Sequence, residues 1–396
     1  MVSPFRRTED SRGCRFFCTF LPGVSDALAT FCQPSGLGGR SFSHSLFRSL
    51  QCPHDVGVKS LSVFENSASR RLVLFGSHAL LSSVVEASKP TKRWSRRKFL
   101  AGMFGAGVGG YAYMRYLEPR WLSVGRHEVS LGRQPGSLAG GGAPGSAPIR
   151  LLQLSDFHAS EDVSLDLIHA AIRKGVGLKP DLICLTGDFI TWRYDAFKRY
   201  AEILKPLADT APTYATLGNH DGGRWVGTAG YSDTKRVRQL VSDAGIQLLH
   251  NRSVDVEIRS RPLRLAGVGD LWAGEIDATT AFATPAQPQA TGDTKALLSS
   301  ADSTAGRPAT ILLSHNPDSK ELLQPFPWEL MLCGHTHGGQ CDLVFFGTPF
   351  APVQDKRFVR GLHQWSGRWI HITRGVGNLH GMRFNCRPEI SLLTLV

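Results

Sequence analysis

Five times along this chain a short apolar run stops at a residue able to hold a metal ion or move a proton. Ile149–Leu154 ends in Ser155-Asp156-Phe157-His158, Asp181–Leu185 in Thr186-Gly187-Asp188, and Thr213–Leu217 in Gly218-Asn219-His220-Asp221. Further on, Thr310–Leu313 ends in Ser314-His315, and Leu330–Leu332 leads into Gly334-His335-Thr336-His337. Amphipathic periodicity predicts helices between the first runs, over Leu165–Lys174, Asp195–Leu207 and Asp233–Ala244. Apolar strands alternating with such helices imply an α/β fold with a sheet covered on both faces. There the carboxyl ends of the strands open onto one crevice, so residues far apart in sequence converge. Shorter strands are expected at Gln247–Leu249, Val254–Ile258 and Leu263–Val268, and a short helix at Asp318–Gln324. Closing strands are expected at Trp369–Thr373 and Ile390–Leu395. Hairpin-like stretches toward the C-terminal end argue a second sheet, and 127–132 is expected to add an edge strand.

The donor types restrict the chemistry. Carboxylate, amide and imidazole together suit Mn, Fe or Zn, whereas a soft thiolate site is excluded. Six or more such groups are too many for one tetrahedral ion. Two ions sharing a carboxylate account for the number; about 3.5–4 Å apart, they would clamp a phosphate and a bridging water. Glycines beside the donors let the backbone turn sharply and approach a metal or phosphate closely. Each motif alone is weak, and a solitary histidine such as His315 after an apolar run is more often a core residue. The ordered series carries the signal. Cys184 and Cys333 lie inside apolar runs and read as small buried hydrophobes.

Charge narrows the partners. Residues 1–149 hold 19 Lys and Arg against 8 Asp and Glu, whereas the rest holds 26 against 25. A nucleic-acid binder would carry its basic patch on the folded domain, so no nucleic-acid binding is expected. Residues 1–90 show no sustained period and are expected to be disordered or a misassigned extension, with the true start nearer Val84 or Val85. Over 91–126 a basic cluster (Arg93, Arg96, Arg97, Lys98) precedes a Gly/Ala-rich apolar run from Phe99 to Met114. That is the order of an export signal, and Arg96-Arg97 with Phe99-Leu100 resembles the twin-arginine consensus. The run is shorter than the ~20 residues needed to span a bilayer. Tyr111, Tyr113, Tyr116 and Trp121, with Arg115 and Arg120, would suit a membrane interface, and a retained anchor is an alternative to cleavage. Residues 127–148 hold the edge segment and a Gly/Pro-rich linker, 149–396 the chemistry-bearing domain, and 274–308 an Ala/Thr/Gly/Pro-rich mobile insertion.

The series D-x-H, GD, GNHD, SH, GHTH resembles the calcineurin-like metallophosphoesterase superfamily. The closer likeness is to its bacterial twin-arginine-exported phosphodiesterases of the YaeI/YkuE type, and covers about residues 93–396. It extends to Tyr116-Leu117-Glu118-Pro119, to the GHTHGGQ run at 334–340 and to the Arg-Gly-Val-Gly and Pro-Glu-Ile stretches near the end. The resemblance implies a four-layer fold of two mixed β-sheets sandwiched by helices. It also implies that Asp156, His158 and His337 hold one divalent ion, that Asn219, His315 and His335 hold a second, and that Asp188 bridges them. His220 would contact the phosphate and protonate the leaving oxygen, and a bridging hydroxide would attack phosphorus. The activity implied is phosphodiester hydrolysis, by an exported enzyme in the periplasm or on the outer face of the inner membrane, delivered by the twin-arginine export machinery. Alternatives are a lipid-linked substrate of the UDP-2,3-diacylglucosamine type, a phosphomonoester, or a non-catalytic metal-binding interaction module, which a broken ligand set would reveal. One position departs from the family pattern. Many relatives read G-D-x-x-D, and the second Asp orients the catalytic histidine; here Thr191 stands there. Either Asp221 or Asp195 substitutes, or His220 is held differently. One or two of Arg224, Arg357, Arg360, Arg374 and Arg383 are candidates to clamp the substrate phosphate.

Overall fold

The computed structural model describes residues 95–131, 147–283 and 307–396. The expectations for 1–90, for most of the 134–148 linker and for the middle of the 274–308 insertion fall outside these residues.

Two six-stranded sheets form the centre. The first has the order β1 (Ser123–Val129), β12 (Glu389–Leu395), β2 (Ile149–Leu154), β3 (Leu182–Thr186), β4 (Thr213–Thr216), β5 (Gln247–Leu248). The second has the order β10 (Gly361–Trp365), β11 (Arg368–Ile372), β9 (Leu330–Cys333), β8 (Ala309–Leu313), β7 (Arg261–Gly267), β6 (Arg252–Ile258). Both are mixed: β2 to β5 run parallel, β12 lies antiparallel to β2, and β6 and β10 lie antiparallel to their neighbours. Strand period 2 sorts the apolar residues into layers. Leu151, Cys184, Leu265, Ile311 and Leu332 point between the sheets into one core. Leu152, Leu154, Ile183 and Leu185 point the other way, against α2 (Leu165–Val176), α3 (Phe197–Thr210) and α4 (Lys235–Asp243). On the far side of the second sheet, Ala266, Leu312, Met331 and Ile370 meet Trp328, Phe358 and Ala281 of α5 (Ala278–Phe282). The result is helix, sheet, sheet, and a layer of short helix and loop. Cys184 and Cys333 are buried, as their runs implied.

Four elements differ from the sequence reading. The edge strand begins at Ser123, upstream of 127, because Ser123–Val129 pairs in parallel with the whole of Glu389–Leu395. The last strand therefore joins the first sheet rather than the second. The helix expected at Asp318–Gln324 is one 3-10 turn, Pro317–Lys320, whose start is capped by Asn316 and whose Lys320 lies buried over the Phe358 ring at 4.7 Å. The start of the 274–308 stretch is folded: Asp277 caps α5 through Thr280 N, and Asn251 Nδ2 donates to Glu275 O at 2.7 Å. Composition hid this because Ala and Thr say nothing of a cap.

Helix α1 (Arg96–Ala112) is capped by Ser95, whose Oγ accepts from Lys98 N at 3.3 Å. None of its residues is buried. No helix among the described residues is long and apolar enough to cross a membrane. The chain leaves α1 through Tyr113–Arg120 and is fastened there. Arg383 N donates to Met114 O at 3.0 Å, and the buried Glu118 carboxylate accepts from Asn385 N and Cys386 N.

Candidate metal centre

The eight sequence-selected residues all meet at the carboxyl ends of β2, β3, β4, β8 and β9, and all are buried. Asp188 sits at their middle. Its Oδ2 lies 3.0 Å from His315 Nε2 and 3.3 Å from His158 Nε2, and its Oδ1 accepts from His220 N at 2.9 Å. On one side Asp156, His158 and His337 converge: His337 Nε2 is 3.1 Å from His158 Nε2 and 3.5 Å from Asp156 Oδ1. On the other side His315 and His335 share Asp188 as a common neighbour. Two clusters joined at one carboxylate fit a dinuclear centre.

The unused donor atoms test that fit. Asp156 Oδ2, Asn219 Oδ1, His335 Nε2 and His337 Nδ1 are buried without a hydrogen-bond partner. Buried polar atoms are rarely orphaned, because each costs about 1–3 kcal/mol. Divalent cations would satisfy them.

The backbone is arranged to present these donors. Asp156, His158, Asp188, His335 and His337 all adopt left-handed φ, from 49° to 69°. For residues with a Cβ such a conformation costs on the order of 1 kcal/mol or more each, and it persists where surrounding structure enforces it. Gly187, at φ 90°, turns the chain before Asp188. Gly334 is needed for closeness: a Cβ there would run into Ser155 and the Asp156 carboxylate.

Partners behind these side chains fix their rings. His315 Nδ1 lies 2.6 Å from Thr186 O, which turns Nε2 inward. His158 Nδ1 lies 3.2 Å from Thr191 Oγ1, and that hydroxyl donates to His158 O at 3.2 Å. So the side chain of Thr191, the residue at the departing position, secures the His158 ring. His220 is held differently from either carboxylate alternative: its Nδ1 lies 2.8 Å from the Thr191 carbonyl. A carbonyl fixes the tautomer but adds no negative charge. Asp221 is occupied elsewhere. Its carboxylate accepts from Gly218 N at 2.8 Å, Asp188 N at 3.0 Å, Phe189 N at 2.7 Å and Ile190 N at 3.4 Å, strapping the β3 loop to the β4 loop.

The charges follow from this packing. Burial opposes ionisation of Asp188, but the imidazoles of His315 and His220 hold its carboxyl well below the usual range. Burial likewise opposes charge on His315, yet Asp188, then Asp156 and Asp270, hold it well above the ordinary histidine value. Burial drives His335 and His337 well below theirs, so both are neutral donors. Burial also lowers His220, to about 4, against the pull of Asp188.

The candidate arginine clamps disperse. Arg383 is fully buried and donates to the carbonyls of Arg374 at 2.8 Å and Cys386 at 2.9 Å, bracing the backbone behind His337. Arg374 pairs with Glu389, Arg360 with Asp342, and Arg357 with Asp355. Arg224 is exposed and has no ion pair among the described residues.

Two features were missed. The apolar strand β7 also ends in a chemical residue, Gly269-Asp270; Asp270 is buried, its Oδ2 has no hydrogen-bond partner, and burial raises its carboxyl to about 6. The second is a row of tryptophans on the crevice rim. Trp192 stacks parallel to Trp225 with ring centroids 6.2 Å apart, and Trp225 stacks on Trp272 at 5.8 Å. Trp192 and Trp225 meet His220 at 4.9 and 4.5 Å, and Trp272 meets His335 edge-on at 4.3 Å. The available signal was position: each indole lies on a loop just past a strand end that bears a polar site residue.

The chain is similar to known proteins. The profile of the calcineurin-like phosphoesterases matches residues 149–339. The chain is 40% identical over 305 residues to phosphodiesterase YaeI of Escherichia coli, covering 76% of this chain and 99% of that one. It is 30% identical over 316 residues to the uncharacterized metallophosphoesterase YkuE of Bacillus subtilis, covering 77% and 98%. To the UDP-2,3-diacylglucosamine pyrophosphatase LpxG of Chlamydia trachomatis it is 25% identical over 343 residues, covering 74% and 95%. Strand ends that gather two donor clusters around Asp188, in a chain sharing two-fifths of its aligned residues with nearly the whole of such a relative, identify a hydrolase that belongs to the calcineurin-like metallophosphoesterases.

Proposed function

We propose that the protein hydrolyses phosphodiester bonds at a dinuclear centre of divalent cations, with Mn, Fe and Zn as the candidates. Asp156, His158 and His337 would hold one ion, Asn219, His315 and His335 the other, and Asp188 both. The observation that carries this is the set of buried, unpartnered donor atoms on either side of Asp188. The ions would supply charge neutralisation at the phosphoryl oxygens. The chain's own contribution is to fix the donors. Thr186 O and Thr191 Oγ1 orient His315 and His158, and Asp221 holds the Asp188 backbone. His220, its Nδ1 held by the Thr191 carbonyl, would protonate the leaving oxygen from Nε2 only as the imidazolium, after taking up a proton there. Without a carboxylate behind it and with burial lowering it, His220 carries its second proton only in a small fraction of molecules at neutral pH, so diesters with good leaving groups are favoured. The similarity to a phosphodiesterase over 99% of its length supports the diester reading.

The place of action proposed is the periplasm or the outer face of the inner membrane, reached through the twin-arginine export machinery. Support comes from Arg96-Arg97 and Phe99-Leu100 at the start of α1. A second reading, a nucleotide-lipid pyrophosphate as substrate, is favoured by the likeness to LpxG. The test is metal analysis and a panel of diesters, monoesters and lipid pyrophosphates on each metal form of Asp188→Ala and His220→Ala. Asp188→Ala should lose at least one metal and all turnover; His220→Ala should keep both metals and lose turnover. Two metals and normal rates in Asp188→Ala would refute the assignment.

A further inference from the structure

Directly after the GHTHGGQ run the chain makes a tight hairpin whose tip is apolar. Leu343 N donates to Gly347 O at 2.7 Å, and Phe346 N and Gly347 N return to Leu343 O. Val344, Phe345 and Phe346 stand at the tip with 75%, 91% and 79% of their surfaces exposed, and Phe350 follows at 61%. An isolated exposed apolar residue needs no explanation, but a protruding run of such residues does. The hairpin is rigidly based. Asp342 N donates to Phe384 O at 2.9 Å, Phe384 N to Gln340 O at 3.0 Å, and Asp342 pairs with Arg360 at 2.6 Å.

A second exposed apolar element is fastened to the same stretch. Residues 383–386, which hold the hairpin base through Phe384, also hold the exit of α1 through Met114 O and Glu118. That exit carries exposed Tyr116, Leu117 and Trp121. Arg120 and Arg387 lie among them without a carboxylate partner among the described residues, the Arg387 guanidinium stacked 4.1 Å over the Trp121 ring. Phenylalanines at an exposed tip, tied through 383–386 to an element with exposed Tyr and Trp and arginines free of carboxylates, match the chemistry of a bilayer: hydrocarbon, interface, anionic headgroup. A protein partner would call for a broader, flatter or concave face.

We propose that the Val344–Phe346 hairpin and the α1 exit dock the protein on an anionic lipid bilayer. His337, whose carbonyl accepts from Cys386 Sγ at 3.2 Å, lies five residues before the hairpin base at Asp342, so docking brings the crevice to the headgroup layer. This deepens the proposed function by naming its surroundings, and its test does not rest on catalysis.

The full chain is floated with vesicles of phosphatidylethanolamine and phosphatidylglycerol, and with phosphatidylcholine alone. Wild type should bind the anionic vesicles, and the double variant Phe345→Ser, Phe346→Ser should bind them about tenfold less, with hydrolysis of a water-soluble diester unchanged. Because α1 adds its own affinity, Phe346→Trp is compared with wild type on vesicles of brominated lipid. Extra quenching in the variant places position 346 within the bilayer. Equal flotation of the double variant, or no extra quenching, overturns the proposal. So does a self-association of the wild type that the double variant abolishes without any vesicle binding, which makes the hairpin a protein interface. Hairpin-dependent vesicle binding by a protein inactive on every diester supports docking while refuting the diesterase reading.

Discussion

Replacing Asp221 by asparagine separates two jobs that the sequence left open for this residue: holding His220, or holding backbone. In the structure Oδ2 accepts from Gly218 N and Asp188 N, and Oδ1 from Phe189 N and Ile190 N. Asparagine keeps one acceptor oxygen and sets an NH2 against the other pair of donors. Two buried N–H groups then lose their partner, at about 1–3 kcal/mol each, so about 2–4 kcal/mol after local relaxation. For a domain of this size 1 kcal/mol corresponds to about 2–4 °C, and the midpoint of thermal unfolding should fall by about 5–10 °C. Because Asp188 is held from this strap, metal occupancy should fall as well. Calorimetry on the metal-free chain and elemental analysis of the loaded one measure both. If Asp221→Asn unfolds within about 1 °C of wild type, keeps two metals and loses turnover alone, Asp221 acts on His220 and the strap account is wrong.

His315 is held protonated in the metal-free chain and must give up that proton to become a ligand. Metal uptake should therefore release protons at neutral pH and strengthen as pH rises toward the raised value. Titration calorimetry in buffers of different ionisation enthalpy measures this, and an enthalpy independent of buffer contradicts it. Thr191→Val removes the hydroxyl beside His158 Nδ1 but keeps the carbonyl that orients His220. Metal affinity should drop about 10–100-fold, with kcat of the fully loaded enzyme changed far less; the reverse pattern in a metal titration of activity contradicts the assignment. Trp225→Ala removes the central indole of the rim and should raise KM for bulky diesters several-fold with little effect on a methyl diester, read from steady-state rates on both.

Much of the site was legible because strand ends are legible. An apolar run that stops at a donor places that donor at the carboxyl end of a strand, and the five ends, three in the first sheet and two in the second, open on one crevice. The same rule holds for β7, whose apolar run leads to Gly269 and the buried Asp270. What periodicity could not show was how the donors are held. Thr191 looked like a loss because a charge was expected at its position, whereas its hydroxyl and carbonyl serve two different histidines. Arg383 stood among five candidate phosphate clamps because arginine is usually a surface cation, yet here backbone carbonyls surround it. In the fold, the edge strand at Ser123 and the placing of Glu389–Leu395 in the first sheet rest on pairing across 238 to 266 residues, which no local pattern encodes.

The left-handed backbone at Asp156, His158, Asp188, His335 and His337 bears on how such a protein responds to selection. At each of these positions glycine would relax the chain, and removing one of several mutually repelling buried polar groups would relax it further. Directed evolution that scores heat resistance in a chelating buffer would therefore accumulate changes at the very residues that define the enzyme, whereas the same library screened with cation present would retain them. Tolerance to mutation at these five places is thus a property of the medium as much as of the polypeptide.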